Sequence, residues 1–100
     1  VSGTTGYDYA AMVMPESVEA QTRNAMATIT RALNEAGFHL ADVVRVTYYV
    51  TDASMMDVVF PIVGEFFGEI RPAATMIVCG LVKPEMKIEI EVTAKRLEKD

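Results

Sequence analysis

Glu89 is the best-placed candidate for chemistry in this chain. It lies in the C-terminal run Met86–Lys95, where Glu89 and Glu91 alternate with Ile88 and Ile90. Successive side chains of a strand point to opposite faces, so the two carboxylates share a polar face. A carboxylate on such a face is either an ordinary polar residue in contact with solvent or another subunit, or a group available for acid–base chemistry, and the alternation alone does not choose between them.

The single cysteine and the single histidine predict neither a nucleophile nor a metal ligand. Cys79 alternates with Ile77 and Leu81, which favours a small buried hydrophobe over an activated thiolate. One cysteine forms no internal disulfide, and with no signal peptide visible we predict a reducing, cytoplasmic setting. His39 lies in a connection between elements, where a surface or helix-end role is expected. Without a His/Cys cluster at ligand spacing, we predict no metal and no cofactor.

Composition narrows the class of protein further. The chain has 100 residues, 51% of them hydrophobic, which is typical of one domain with a modest core. Its formal net charge is −5 and its basic residues form no run, so we predict no nucleic-acid partner. Since no apolar run approaches the roughly 20 residues of a membrane span, we predict no membrane partner.

The first half of the chain predicts a long helix that the candidate residues need as a support. Apolar residues recur at three- and four-residue steps from Val18 to Ala36, which is typical of an amphipathic helix. Glu16 and Glu19 suit its positive N-terminal end. Gly37 is a suitable residue to end it, because glycine adopts positive φ without penalty.

A strand and a second helix follow. The run Val43–Thr51 is rich in β-branched and aromatic residues, and strict alternation would place Val44, Val46, Tyr48 and Val50 on one face. Asp52 or Ser54 is a candidate cap for the next helix, and Gly68 is a candidate end. Pro61 conflicts with a regular helix, so we expect the helix either to start late or to kink there.

The last two predicted strands, Thr75–Leu81 and Met86–Lys95, flank the turn Lys83-Pro84-Glu85 and predict an antiparallel hairpin. The order strand, helix, strand, helix, strand, strand indicates an α+β fold whose mixed sheet carries both helices on one face. The other face is then either solvated or packed against another subunit's sheet. Residues 97–100 are predicted to form a charged, frayed tail.

Several segments resemble the RidA (YjgF/YER057c/UK114) family. They are Val1-Ser2-Gly3, the helix segment from Gln21 to Met26, Asp42–Asp52, Phe66-Phe67, Pro72-Ala73 and Lys87–Glu91. The resemblance implies a fold similar to the Bacillus-type chorismate mutase, a homotrimer, and ligand clefts between subunits. Family members begin with a further strand, so we expect residues 1–100 to be a single RidA-like domain that lacks this strand.

The resemblance also implies a set of site residues. The imine-hydrolysing members use a glutamate that activates water, which matches Glu89, and a serine that matches Ser2. Their carboxylate-binding arginine is replaced by Ala74, and a pocket asparagine by Phe60. A methyl group offers none of the charge-assisted hydrogen bonds of a guanidinium. Arg71 lies three residues before Ala74, and its use in place of that arginine would need a bend at Pro72.

Two functions are predicted from these residues. The first is an imine or enamine deaminase of altered specificity, with Glu89 as the base and with Phe60 and Ala74 enlarging an apolar pocket. The alternative is a non-catalytic trimer that binds a small metabolite, with Tyr7, Tyr9 and Phe60 as lining residues. The endoribonuclease and translation-inhibitor labels of the family receive no support from the composition.

Overall fold

The computed structural model describes residues 1–96. The elements are β1 (Thr4–Thr5), α1 (Val18–Glu35), β2 (Val43–Val50), α2 (Met56–Phe67), β3 (Ala73–Val78) and β4 (Ile88–Ala94). Short 3₁₀ turns at Leu40–Asp42 and Ala53–Met55 precede β2 and α2. The predicted tail at residues 97–100 lies outside the described residues.

Helix α1 begins and ends at local signals that the sequence contains. The backbone N–H of Ala20 donates to Ser17 Oγ at 3.1 Å, which caps the first turn. Gly37, just past the end, has φ of 85°, as predicted for a residue that ends a helix. The buried side of the helix carries Gln21, Thr22, Ala25, Met26, Ile29 and Leu33. The predicted helix is therefore confirmed, and its buried side includes two polar residues.

Helix α2 does not start late, so that alternative for Pro61 was wrong. The helix begins at Met56, directly after a 3₁₀ turn in which Ser54 N–H donates to Asp52 Oδ1 at 2.8 Å. Pro61 lies inside the helix, where it removes the N–H that would otherwise reach the carbonyl of Asp57. Gly68 ends the helix with φ of 58°, as predicted.

The predicted hairpin between the last two strands was wrong. The four-stranded sheet has the order β1-β4-β2-β3, so β2 lies between β3 and β4. Strand β4 runs antiparallel to both β1 and β2, while β2 and β3 are parallel neighbours joined through α2. The connection 79–87 is long enough to cross the end of β2, and its tight turn spans only Lys83–Met86. The turn predicted at Lys83-Pro84-Glu85 therefore makes up only part of the connection between β3 and β4.

Strand β2 departs from strict alternation at its start. Its pairing with β4 shifts register between Val43 and Arg45, which indicates a bulge. Val43 is consequently 4% exposed and Val44 48% exposed. The prediction that Val44 shares the buried face was wrong, because one extra residue reverses the facing of those before it.

The core lies between one face of the sheet and the two helices. The sheet contributes Val46, Tyr48, Val50, Ile88, Ile90 and Val92, and the helices contribute Met26, Ile29, Val59 and Val63. This confirms the mixed sheet with two helices packed on it. The opposite face carries Thr47, Tyr49, Glu89 and Glu91, and we call it the polar face. Among the helices of residues 1–96, none is long and apolar enough to cross a bilayer.

Candidate functional site on the polar face

Glu89 occupies the centre of the polar face. It lies in β4 between Tyr49 of β2 and Thr5 of β1, its two cross-strand neighbours. Both neighbouring strands hold β4 by antiparallel pairing, so the backbone position of Glu89 is fixed from two sides. Its side chain is half-buried, which leaves the carboxylate partly accessible to solvent.

Gly3 packs directly against the Glu89 carboxylate. A Cβ atom at Gly3 would lie 2.5 Å from Glu89 Oε2 and 2.8 Å from Glu89 Cδ. Any side chain at this position would therefore displace the carboxylate. The sequence reasoning used Gly3 only as part of a family segment and missed this contact, which depends on how β1 pairs with β4.

Tyr49 and Glu91 form a hydrogen bond beside Glu89. The phenol of Tyr49 donates to Glu91 Oε1 at 2.7 Å. This hydrogen bond raises the pKa of Tyr49, and burial and the negative charges of Glu91 and Glu89 act in the same direction. The polar face therefore presents two carboxylates and a protonated phenol, a set that favours proton transfer at Glu89 and orientation at Tyr49.

Ser2 lies next to Glu91. It lines a polar cavity of about 290 Å³ together with Arg45, Thr47 and Glu91. The lining of this cavity does not include Glu89. Ser2 and Glu89 are nevertheless on the same part of the molecule, since Gly3 follows Ser2 and contacts the Glu89 carboxylate. Arg45 supplies a cation that the sequence reasoning did not assign to the site.

Ala74 lies on the opposite face of the sheet from Glu89. It pairs with Val46, which is buried in the core, whereas Glu89 pairs with Tyr49. Val46 and Tyr49 are an odd number of residues apart, so their side chains point to opposite faces. Strand β3 is also one of the two edge strands of the described sheet, and Ala74 is exposed there.

Phe60 and Arg71 are likewise separate from Glu89. Phe60 is 51% exposed on α2, which packs on the other face of the sheet. Arg71 is exposed and lies in the connection before β3, where strand alternation does not determine its direction. The chain thus holds the predicted site residues in two groups: Ser2 and Glu89 near the polar face, and Phe60, Ala74 and Arg71 near α2 and the β3 edge.

The other candidates have ordinary surroundings. His39 is exposed, and its backbone N–H donates to Asp42 Oδ2 at 2.9 Å in the 3₁₀ turn before β2. Cys79 is half-buried, and its N–H donates to the carbonyl of Val50. Within residues 1–96, no group of three or more His, Cys, Asp or Glu side chains is arranged to hold a metal ion. Tyr7 and Tyr9 line a second cavity, whose lining does not include Phe60.

The comparisons with known proteins agree with this fold. The family model described as endoribonuclease L-PSP matches residues 1–96. A YjgF/YER057c/UK114 family member from Mycobacterium tuberculosis is 41% identical, with a TM-score of 0.84, over 94% of this chain and 75% of that one. RidA from an Antarctic Psychrobacter species is 27% identical, with a TM-score of 0.86, over 92% and 75%.

A third solved structure is similar in fold alone. TdcF from E. coli, solved with bound serine, is 22% identical to this chain. Its TM-score is 0.90, and the match covers 97% of this chain and 79% of TdcF.

Proposed function

The chain belongs to the endoribonuclease L-PSP family, which includes the YjgF and RidA proteins, and from that premise we propose that it binds a small metabolite in clefts between the subunits of a homotrimer. We further propose that it hydrolyses an imine or enamine there, with Glu89 activating the water. TdcF, a protein of the same fold, was solved with bound serine, which supports a small-molecule ligand.

The observation that carries the proposal is the placement of the Glu89 carboxylate. It lies against Gly3 on a face that neither helix covers, and its neighbour Tyr49 is held by Glu91 at 2.7 Å. A carboxylate with a fixed backbone and an open approach is suited to hold a water molecule and to accept its proton.

An intersubunit cleft accounts for the two separate groups of site residues. Within one protomer, Glu89 and Ala74 are on opposite faces of the sheet, so they do not form one pocket. In the proposed trimer, the β3 edge of one subunit approaches the polar face of the next, so Ala74 and Phe60 of one copy border Glu89 of another. The exposure of Ala74 and Phe60 within the protomer supports this arrangement.

The proposed reaction conserves atoms and charge. Glu89 accepts a proton from water as the oxygen adds to the carbon of the C=N bond, and Glu89 then passes this proton to the imine nitrogen. In the resulting carbinolamine, the hydroxyl proton moves through Glu89 to the nitrogen as the C–N bond breaks, so the C=O bond forms and ammonia leaves. The products are a carbonyl compound and ammonia, and no redox partner is needed. Ser2 would orient the substrate.

Ala74 determines the proposed specificity. A guanidinium would grip a substrate carboxylate with two charge-assisted hydrogen bonds, each worth about 1.5–3 kcal/mol. Without them, carboxylate binding weakens by roughly two to four powers of ten. The substrate is therefore an imine whose recognition does not depend on a carboxylate at this position, and Phe60 and Ala74 favour an apolar group.

The proposal is tested by imine hydrolysis with three proteins: wild type, Ala74→Arg and Glu89→Gln. Each is assayed with 2-iminobutanoate and with a neutral imine that lacks the carboxylate. We expect the wild type to prefer the neutral imine, Ala74→Arg to gain activity on 2-iminobutanoate, and Glu89→Gln to lose both activities. Full activity of Glu89→Gln would refute its role as the base.

The assembly is tested separately by sedimentation. A homotrimer has a mass of about three times 11.0 kDa, and a stable monomer would contradict the cleft. The sedimentation test includes the variant Val44→Glu. Val44 is exposed on the bulge, so this variant should fold normally whether or not the chain assembles.

The non-catalytic alternative is favoured by one observation, the absence of a guanidinium at Ala74. If neither wild type nor Ala74→Arg hydrolyses any imine, a thermal shift with a metabolite panel would distinguish a binding protein from an inert one. RNA cleavage is not part of the proposal, because the chain has a net charge of −5 and a single histidine.

A further inference from the structure

Residues 7–14 form a small hairpin with a fixed backbone. Asp8 and Val13 exchange backbone hydrogen bonds at 2.8 and 3.2 Å. The Asp8 carboxylate also accepts from the N–H groups of Ala10 and Ala11, both at 3.0 Å. An Asp side chain that bonds to the backbone two and three residues later is a standard way to hold a tight turn. The side chains of this hairpin are therefore presented on a fixed support.

Met12 occupies a backbone conformation that methionine disfavours. Its φ is 58°, and among residues 1–96 it is the one non-glycine residue with positive φ. Glycine, asparagine and aspartate are the usual residues in this region. Core packing does not explain the choice, because the Met12 side chain is 69% exposed. Strain held at an exposed apolar side chain points to a function of that side chain.

A cavity of about 360 Å³ lies between this hairpin and the turn Lys83–Met86. Tyr7 and Tyr9 line it with their rings edge to face at 5.0 Å between centroids, and Met12 and Met86 contribute thioethers. Sulfur and aromatic edges contact one another favourably, so this lining suits an aromatic group. The size falls within the range of small-molecule sites.

Two opposite charges border the same cavity. Lys83 and Glu85 both line it, and within residues 1–96 neither forms an ion pair. Their turn is held from beneath, since the buried Gln21 side chain donates to the carbonyl of Glu85 at 2.9 Å. A cation and an anion beside an apolar cavity match a molecule that has an ammonium, a carboxylate and an apolar group.

We propose that this cavity binds a free amino acid with an aromatic side chain. The ring lies between Tyr9 and Met12, the carboxylate contacts Lys83, and the ammonium contacts Glu85. Glu89 does not line this cavity, although its cross-strand neighbour Thr5 does, and the proposal does not rest on the proposed hydrolysis. It would be a second ligand site, in addition to the proposed intersubunit cleft.

The first test is calorimetric titration of the full chain with L-phenylalanine, 2-phenylethylamine and 3-phenylpropanoate. The last two compounds each lack one of the charges. Exposed ion pairs are weak, so we expect each truncated ligand to bind about threefold more weakly than phenylalanine. Lys83→Gln should weaken the binding of phenylalanine and of 3-phenylpropanoate but not that of 2-phenylethylamine. Glu85→Gln should weaken the binding of phenylalanine and of 2-phenylethylamine but not that of 3-phenylpropanoate. The crossed pattern is the signature of the two assigned contacts.

The second test is Met12→Gly, for which stability and binding should change in opposite directions. Glycine removes the backbone strain, so the melting temperature should rise by a few degrees. It also removes the side chain that contacts the ring, so phenylalanine affinity should fall at least threefold. Glu89→Gln is the matched control and should bind phenylalanine like the wild type, whatever its effect on imine hydrolysis.

Several results would overturn the proposal. One is the absence of phenylalanine binding at millimolar concentration. A second is binding that Met12→Gly and Lys83→Gln leave unchanged while Glu89→Gln abolishes it, which would place the amino acid on the polar face. A third is a loss of self-association in Met12→Gly, which would show that a second copy of the chain covers the cavity.

Discussion

The polar face and the hairpin cavity are two candidate sites built in opposite ways. The polar face takes its side chains from paired strands, with Glu89 held between β1 and β2. The hairpin cavity, between residues 7–14 and the turn Lys83–Met86, takes its side chains from loops. Asp8 fixes the first of these loops, and Met12 adopts a disfavoured backbone conformation in it. Strand pairing repeats along the sequence and predicts a shared face, while a loop site has no period. Periodicity in the sequence therefore finds only the first kind of site.

Gln21 connects the two regions. Its side chain donates to the carbonyls of Pro15 at 2.8 Å and Glu85 at 2.9 Å, and its Oε1 accepts from Lys87 N–H at 2.8 Å. Pro15 follows the hairpin, Glu85 borders the cavity, and Lys87 precedes β4. The buried amide of Gln21 thus holds both candidate sites in place.

The largest expected effect follows Gln21→Ala. The substitution leaves three part-buried backbone groups without their side-chain partner and opens a void, which should cost about 2–4 kcal/mol of unfolding free energy. Both phenylalanine binding and any imine hydrolysis should fall. Denaturant unfolding measures the loss, with the exposed Asn34→Ala of the same helix as the control, expected within about 0.5 kcal/mol of wild type. An equal effect of both variants would remove the role assigned to the amide.

Two glycines give the next contrast. A Cβ at Gly6 would lie 2.3 Å from Gln21 Cα, a backbone atom, so Gly6→Ala should cost about 1–3 kcal/mol by forcing α1 away. A Cβ at Gly3 would meet only the end of the Glu89 side chain, which can move. Gly3→Ala should therefore keep nearly wild-type stability and lose any imine hydrolysis that depends on Glu89. Thermal unfolding and the imine assay, run on both variants, measure this; equal stability of the two would contradict it.

Tyr48 should contribute to the loss of stability at alkaline pH. Burial raises the pKa of Tyr48 from 10.0 to about 12. Because the folded-state pKa lies above the unfolded one, the contribution of Tyr48 is complete below about pH 10 and is lost as the pH rises toward 12. Tyr48→Phe should reduce this alkaline loss in denaturant unfolding across that interval. A loss of the same size in the variant would assign it to other groups.

The smallest effect is expected at the ion pair between Arg23 and Glu65, which lies on the helices away from both sites. The hydrogen bond with Glu65 raises the pKa of Arg23, but both side chains are exposed and solvent screens their attraction. Arg23→Ala should change the melting temperature by little more than the error of the measurement, and the difference should vanish in high salt. A large, salt-insensitive change would contradict a surface role.

Strand alternation predicted the faces of β4 correctly but not those at the start of β2. The alternation in β4 correctly predicted a strand with Glu89 and Glu91 on a polar face, because burial of Ile88 and Ile90 imposes a period of two. The same reasoning misplaced Val44, since a bulge inserts one residue without changing the composition. The same reasoning also predicted that β3 pairs with β4. A turn signal shows that the chain reverses direction, but it does not show which strand the next strand pairs with.

The two helices, their ends at Gly37 and Gly68, and the family of the chain follow from the sequence alone, because they depend on local backbone preferences and on spacing. The position of β4 between β1 and β2 and the contact of Gly3 with Glu89 follow only from the folded structure. The same holds for Gln21, which joins the hairpin to the start of β4. Each of these is a contact between residues far apart in the chain, whose partners are chosen by packing rather than by the residues next to them.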